Sequence, residues 1–140
     1  FTIFNVNSGV TATFDRLTRE HSLRFGQPNR LVFDLSQQTL TRAAGRGDDQ
    51  PSADDSTLRL PSSLKIARII TATSDTTAGQ VTLPCSASGQ TPSYAILLTD
   101  GHQNQWTITA GLSGKTVTAR DEREVQELFS AISSNTTKSP

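Results

Sequence analysis

The sequence predicts an α+β fold: one amphipathic helix, a run of short antiparallel strands, then a second short helix. Three observations predict it. Apolar residues recur at helical spacing near the start and again near the end, with strand alternation between. The strand-like segments follow one another through short turns rich in Gly, Asn and Ser. No helix of crossover length separates them, which favours antiparallel pairing over βαβ units. At 140 residues the chain reads as one domain, 1–140.

The first helix is expected over residues 8–25. Val10, Phe14, Leu17, His21 and Phe25 fall at spacings of four, three, four and four, one helical face. Asp15 can pair with Arg19, and Arg16 with Glu20, one turn apart. Gly26 and Pro28 supply the stop, and Ser8 is a plausible N-cap. Antiparallel strands are expected across residues 30–119. In "RLVFDL", Leu31, Phe33 and Leu35 alternate with Arg30, Val32 and Asp34, and "SQQ" turns the chain into "TLTRAA". Residues 45–56, "GRGDDQPSADDS", have no periodicity and read as a mobile loop. "STLRLP", "LKIARIITAT" and "AGQVTLPC" return to strand composition, Pro84 stopping the last. "SASGQTP" is loop. "SYAILLT" and "QWTITA" flank the turn "DGHQN", and "LSGK" leads into "KTVTA". Period changes again in "DEREVQELFSAI". Val125, Leu128, Phe129 and Ile132 predict a helix over 121–133, with acids in its first turn favoured by the helix dipole. The tail "SSNTTKSP" reads as frayed.

Few residues suggest chemistry. Lysine plus arginine equals aspartate plus glutamate, 13 each, so no global field draws the chain to nucleic acid or anionic lipid. Four arginines, Arg16, Arg19, Arg24 and Arg30, gather near the first helix, but Asp15 and Glu20 interleave with them. The single cysteine, Cys85, excludes an intrachain disulfide and fits no zinc spacing. It reads as a structural thiol. His21 reads as a partly buried, hydrogen-bonded histidine and His102 as a solvated turn residue. Asp48, Asp49, Asp54 and Asp55 invite a calcium reading, but EF-hand spacing is absent; a solvated loop accounts for them. The tripeptide Arg46-Gly47-Asp48 and the sequon at Asn135 are short matches that recur by chance. No run of about 18 apolar residues marks a membrane span. The chain starts at Phe1 without Met, as a trimmed or processed product would. An assembly or recognition protein fits this inventory better than an enzyme.

The stretch "YAILLTDGHQNQWTITAGLSGKTVT" resembles the C-terminal signature of the H-type minor pseudopilins of type II secretion and the related FimT/FimU-type minor type IV pilins. That signature is a strand, here Tyr94 to Thr99, a polar turn with Asp100 and Gly101, and a strand carrying Trp106. A turn with Gly111, Gly114 and Lys115 then leads to a final strand through Val117. "LTREHSLRFGQPNRLVFDLSQQTL" is similar to the end of a pilin helix and the first strand of its head, and "LRLPSSLKI" resembles the family's strand, proline, strand passage. The resemblance covers most of residues 10–119. The family's leader, cleavage site and apolar helix are not in this chain, and the loop 45–56 and the C-terminal helix have no counterpart in the signature.

The resemblance implies a pilin-like fold, with the N-terminal helix packed on antiparallel sheet and Val10, Phe14, Leu17 and Phe25 clamping that helix down. It implies a non-enzymatic subunit of a type II secretion pseudopilus, assembling with other pseudopilins in the periplasm to support protein export. The missing apolar helix, methylated at its N-terminus, would anchor it in the inner membrane before filament assembly. No cofactor, metal or small-molecule substrate is expected, and nucleic acid is not an expected partner. Val10, Phe14 and Leu17 on the helix, with Arg46, Asp48, Asp49, Asp54 and Asp55 in the loop, are the expected assembly residues; the 45–56 and 86–92 loops are left for neighbours. Two other readings stay open. One is a minor type IV pilin acting in pilus assembly, adhesion or DNA uptake. The other is a secreted β-rich ligand-binding module, which for glycan would need an exposed platform built on Trp106 and Tyr94.

Overall fold

The structure, a computed structural model, describes residues 3–45 and 55–137, with side chains described for 9–45 and 55–131. Helix α1 (Ile3–Phe25) is followed by strands β1 (Asn29–Asp34), β2 (Thr39–Ala44), β3 (Ser56–Arg59), β4 (Lys65–Thr71), β5 (Asp75–Thr76), β6 (Gln80–Cys85), β7 (Tyr94–Thr99), β8 (Asn104–Thr109) and β9 (Thr116–Ala119), then by helix α2 (Glu122–Thr137). The strands form two antiparallel sheets, in the orders β3-β2-β1-β6 and β5-β4-β7-β8-β9. Strand β5 is an addition to the elements read from the sequence; two residues are too few to carry an alternation.

Turn chemistry sets the registers. In the β1–β2 turn the Asp34 carboxylate accepts the Ser36 and Gln37 amides at 2.9 Å each. Gln38 sits at a φ of 55°, a conformation that costs a non-glycine residue about 1–2 kcal/mol. Its side-chain amide offsets this by donating to the carbonyls of Leu35 and Ile66 and accepting the Ile66 amide, so the turn also ties one sheet to the other. Between β7 and β8, Asp100 accepts the His102 and Gln103 amides, and Gly101 takes the positive φ. Those amides hold the Asp100 carboxyl below its usual range.

The main core lies where the sheets and α1 meet. Leu31, Phe33, Leu40, Leu83, Ile66, Ile69, Tyr94, Ile96 and Leu98 fill it, with Val10 and Phe14 packed against its side. Strand β7 alternates. Tyr94, Ile96 and Leu98 face this core, whereas Ala95 and Leu97 face a second cluster with Trp106, Ile108, Val125 and Phe129, which α2 covers. A bulge in β4 between Ile66 and Arg68 interrupts the pairing with β7. It lets Ile66 and Ile69 share one face and turns Arg68 to the other. There Arg68, Leu97, Trp106 and Ala119 form a cross-strand row. Asp121 caps α2, accepting the Glu124 amide at 2.9 Å.

Three expectations for α1 need correction. The helix already runs from Ile3, so Ser8 lies inside it and is no N-cap. Leu17 and Phe25 are 51% and 56% exposed and do not clamp the helix to the sheet. The face that is fully buried is polar: Thr11, Asp15, Thr18, Arg19 and Ser22. Helix α2 extends to Thr137 rather than stopping near residue 133.

Candidate functional site

The polar face of α1 is buried because the opposing loops supply partners for it. Asp15 and Arg19 form an ion pair at 2.6 Å, with side chains 2% and 8% exposed. Arg19 then spends its remaining nitrogens on groups far along the chain. Its Nη1 donates to the Gly111 carbonyl at 2.6 Å and the Gly89 carbonyl at 3.3 Å, and its Nη2 donates to Thr91 Oγ1 at 2.7 Å. The Tyr94 hydroxyl donates to the other oxygen of Asp15. Burial, and then the Asp15 charge, push the Tyr94 phenol well above its usual pKa. Both positions disfavour a side chain. A Cβ on Gly111 would lie 1.8 Å from the Thr91 carbonyl, and Gly89 holds a φ of 79°, which side chains rarely adopt.

One turn further on, Asn29 donates to Ser22 at 2.8 Å, and Ser22 donates to Cys85 at 3.4 Å. His21 Nδ1 lies 3.2 Å from the Asn29 amide, so His21 is the half-buried, hydrogen-bonded residue that its sequence position suggests. Cys85 is fully buried, and His102 is exposed in its turn. These contacts orient α1 on the sheets and contain no nucleophile set against a base.

Two surface clefts flank α1. The first, of about 610 Å³, lies between the helix and edge strand β3. Val10, Phe14 and Leu17 form one wall and Leu58 the other. Three of the expected assembly residues therefore do share one apolar surface, although Leu17 reaches it as an exposed side chain. The second cleft, of about 480 Å³, lies on the other flank, between α1 and the β8–β9 turn, and is lined by charged and hydroxyl side chains.

The remaining candidates divide. Arg46, Asp48, Asp49 and Asp54 lie outside the described residues, as does the Arg46-Gly47-Asp48 tripeptide. Asp55 is described: its carboxylate accepts the Ala44 amide at 3.3 Å and helps close the β2–β3 connection. The 86–92 loop is not wholly left for neighbours, because Gly89 and Thr91 are buried and bonded to Arg19. Trp106 and Tyr94 are 5% and 2% exposed, so neither offers a face for stacking a sugar. Arg68 lies over the Trp106 ring, 5.7 Å from its centroid, and bonds Asp75 and Glu122. Among the described residues no cluster of His, Cys, Asp or Glu could hold a metal, and no helix is long and apolar enough to cross a membrane.

The Asp15–Arg19 pair expected from the sequence is present; what the sequence reading missed is that the pair is buried and tied to Tyr94, Thr91, Gly89 and Gly111. A signal was present: Thr11, Asp15, Thr18 and Ser22 recur at four, three and four, a polar stripe beside the apolar one.

No family model matches the sequence, and no curated protein matches it. Among solved structures, the fold is similar to that of the minor pseudopilin EpsH from the type 2 secretion system of Vibrio cholerae. The TM-score is 0.57 at 14% identity, and the likeness covers 83% of this chain and 95% of that one. The pilin-like fold implied by the sequence resemblance is thus the fold found: an N-terminal helix, two antiparallel sheets and a C-terminal helix.

Proposed function

We propose that this chain is the periplasmic head of a minor pseudopilin, a non-enzymatic subunit that assembles with other pseudopilins in a type II secretion pseudopilus. The observation that carries this reading is a fold likeness covering 95% of a minor pseudopilin chain. The motif from Tyr94 to Val117, read independently of that likeness, supports the same family. In this reading an apolar segment upstream of α1 anchors the subunit in the inner membrane and later packs in the filament. The apolar groove of Val10, Phe14 and Leu17, with the 45–56 loop and its Arg46, Asp48, Asp49, Asp54 and Asp55, faces neighbouring subunits. The buried ties from Asp15 and Arg19 hold the head rigidly on α1, so that a contact made by the head is transmitted to the helix. Buried Trp106 and Tyr94 speak against the glycan-module alternative.

The test is mass spectrometry of the N-terminal peptide of the native protein from the membrane fraction. The expected peptide is a cleaved, N-methylated end leading into an apolar stretch of about 20 residues. A secreted, soluble protein with an ordinary signal-peptidase terminus would end the filament reading.

A further inference from the structure

The geometry points to the second cleft of α1 as a docking site for acidic side chains of a partner protein. This inference concerns the chemistry of the cleft and stands apart from the filament reading. The cleft measures about 480 Å³ and lies between Thr13 and Arg16 on the helix and the turn from Ser113 to Thr116. Asp15 is the one acidic residue lining it. That carboxylate is already committed to Arg19 and the Tyr94 hydroxyl, so the floor is an internally neutralised pair. Arg19 has no donor to spare, since each of its nitrogens already has a protein acceptor.

The rim is different. Lys115 is exposed and makes no ion pair among the described residues. Arg16 meets Glu20 at 3.3 Å, but both side chains are more than half exposed. Water screens such a pair, and a second carboxylate can readily replace it. The cleft therefore holds two exchangeable cations and no uncommitted acid.

Its surroundings are prepared for a visitor. The turn is locked: the Gly114 amide donates to the Ala110 carbonyl, the Ala110 amide donates to the Lys115 carbonyl, and the Lys115 amide donates to Ser113 Oγ. Lys115 is thus presented from a fixed backbone. On the helix side Gly9 and Ala12 leave room for close approach. Arg16 supplies a planar fork suited to a carboxylate, Lys115 supplies a point charge, and the exposed hydroxyls of Thr13 and Thr116 add neutral donors. The space greatly exceeds what a single inorganic anion fills, and it suits side chains inserted from another polypeptide.

The experiment uses the isotope-labelled chain at low ionic strength, titrated with a tetraglutamate peptide while backbone amide shifts are recorded. Tetraglutamine and inorganic phosphate serve as comparison probes. Tetraglutamate should saturate shifts confined to Thr13–Arg16 and Ser113–Thr116, with tetraglutamine silent. Affinity should fall about two- to fivefold in Lys115→Gln and again in Arg16→Gln, and added salt should weaken it. Both side chains are exposed, so thermal unfolding of the variants should match the parent. Absence of shifts, shifts spread equally to Arg120 and Arg123, or affinity unchanged in Lys115→Gln would each overturn the assignment. Phosphate saturating the same amides as tightly as the peptide would make this a small-anion site and remove the protein partner.

Discussion

Arg19 donates from all three of its nitrogens, to Asp15 within α1 and to three positions 70 or more residues away. Removing it would leave Asp15 as a buried carboxylate facing only the Tyr94 hydroxyl. Breaking a buried pair from one side costs about 3–5 kcal/mol, because the surviving charge is uncompensated. Arg19→Met should therefore lose stability of that order in urea unfolding, followed by the fluorescence of Trp106, the chain's single tryptophan. The double variant Asp15→Asn/Arg19→Met should lose less than the sum of the two single changes, since each half causes the other's penalty. A loss below about 0.5 kcal/mol for Arg19→Met would mean that the network contributes little and that apolar packing alone holds α1. Arg19→Lys should rescue poorly, because one ammonium cannot reach Asp15, Thr91 and both loop carbonyls from a single stem.

At the scale of the element, α1 has two working faces. The polar stripe through Asp15, Thr18 and Ser22 is buried and fixes the helix on β1, β6 and β7. The apolar stripe through Val10, Phe14 and Leu17 sits beside it, half covered, with Leu58 across the groove. A change at Leu17 should consequently separate folding from assembly. Leu17→Asp should leave the melting temperature of the isolated head nearly unchanged, because the parent side chain is already 51% exposed. On the proposed pseudopilin reading, secretion in cells carrying this variant should drop several-fold, since a carboxylate would then be placed in an apolar contact. Full secretion by this variant would exclude the groove as an assembly surface. A marked fall in melting temperature would show that Leu17 belongs to the core. Helix α2 works differently: Val125 and Phe129 are buried against Trp106 and Ile108, while Arg68 grips Glu122 at its first turn.

On the alkaline side, the pH dependence of the whole molecule includes Tyr94, the chain's only tyrosine. Its folded-state pKa is raised by burial first and by Asp15 second, whereas the unfolded phenol titrates near pH 10, roughly. A group raised in this way contributes its full stability below the unfolded value, and that contribution falls as pH rises beyond it. Stability should be insensitive to this residue at neutral pH and should decline above about pH 10. Tyrosinate absorbance should rise together with the fluorescence change of global unfolding. Tyrosinate forming near pH 10 in a chain that is still folded would show that Tyr94 is solvent-accessible. In Tyr94→Phe the alkaline decline attached to this group should disappear, alongside a pH-independent loss because Asp15 Oδ2 keeps only the longer bond from Arg19 Nη2.

Local signals were enough for the element types and their order, apart from the two-residue strand β5. The alternation of Leu31, Phe33 and Leu35, the turns at Ser36–Gln38 and Asp100–Gly101, and the period change at Val125 are all short-range patterns. A strand's inward face and a turn's hydrogen bonds are written within a few residues of each other. The motif from Tyr94 to Val117 carried the pilin-like reading for the same reason. Which side of α1 turns inward was decided elsewhere. Two stripes lay side by side on the helix, and hydrophobicity alone favours burying the apolar one. The polar stripe is buried instead, because Tyr94, Thr91 and the carbonyls of Gly89 and Gly111 meet Asp15 and Arg19 across 70 to 92 residues of chain. An unmatched charge is costly to bury, and a fully matched one is tolerated. The matching partners come together only when both sheets have formed, so the buried face of α1 and the cations left on its rim were settled by the tertiary structure.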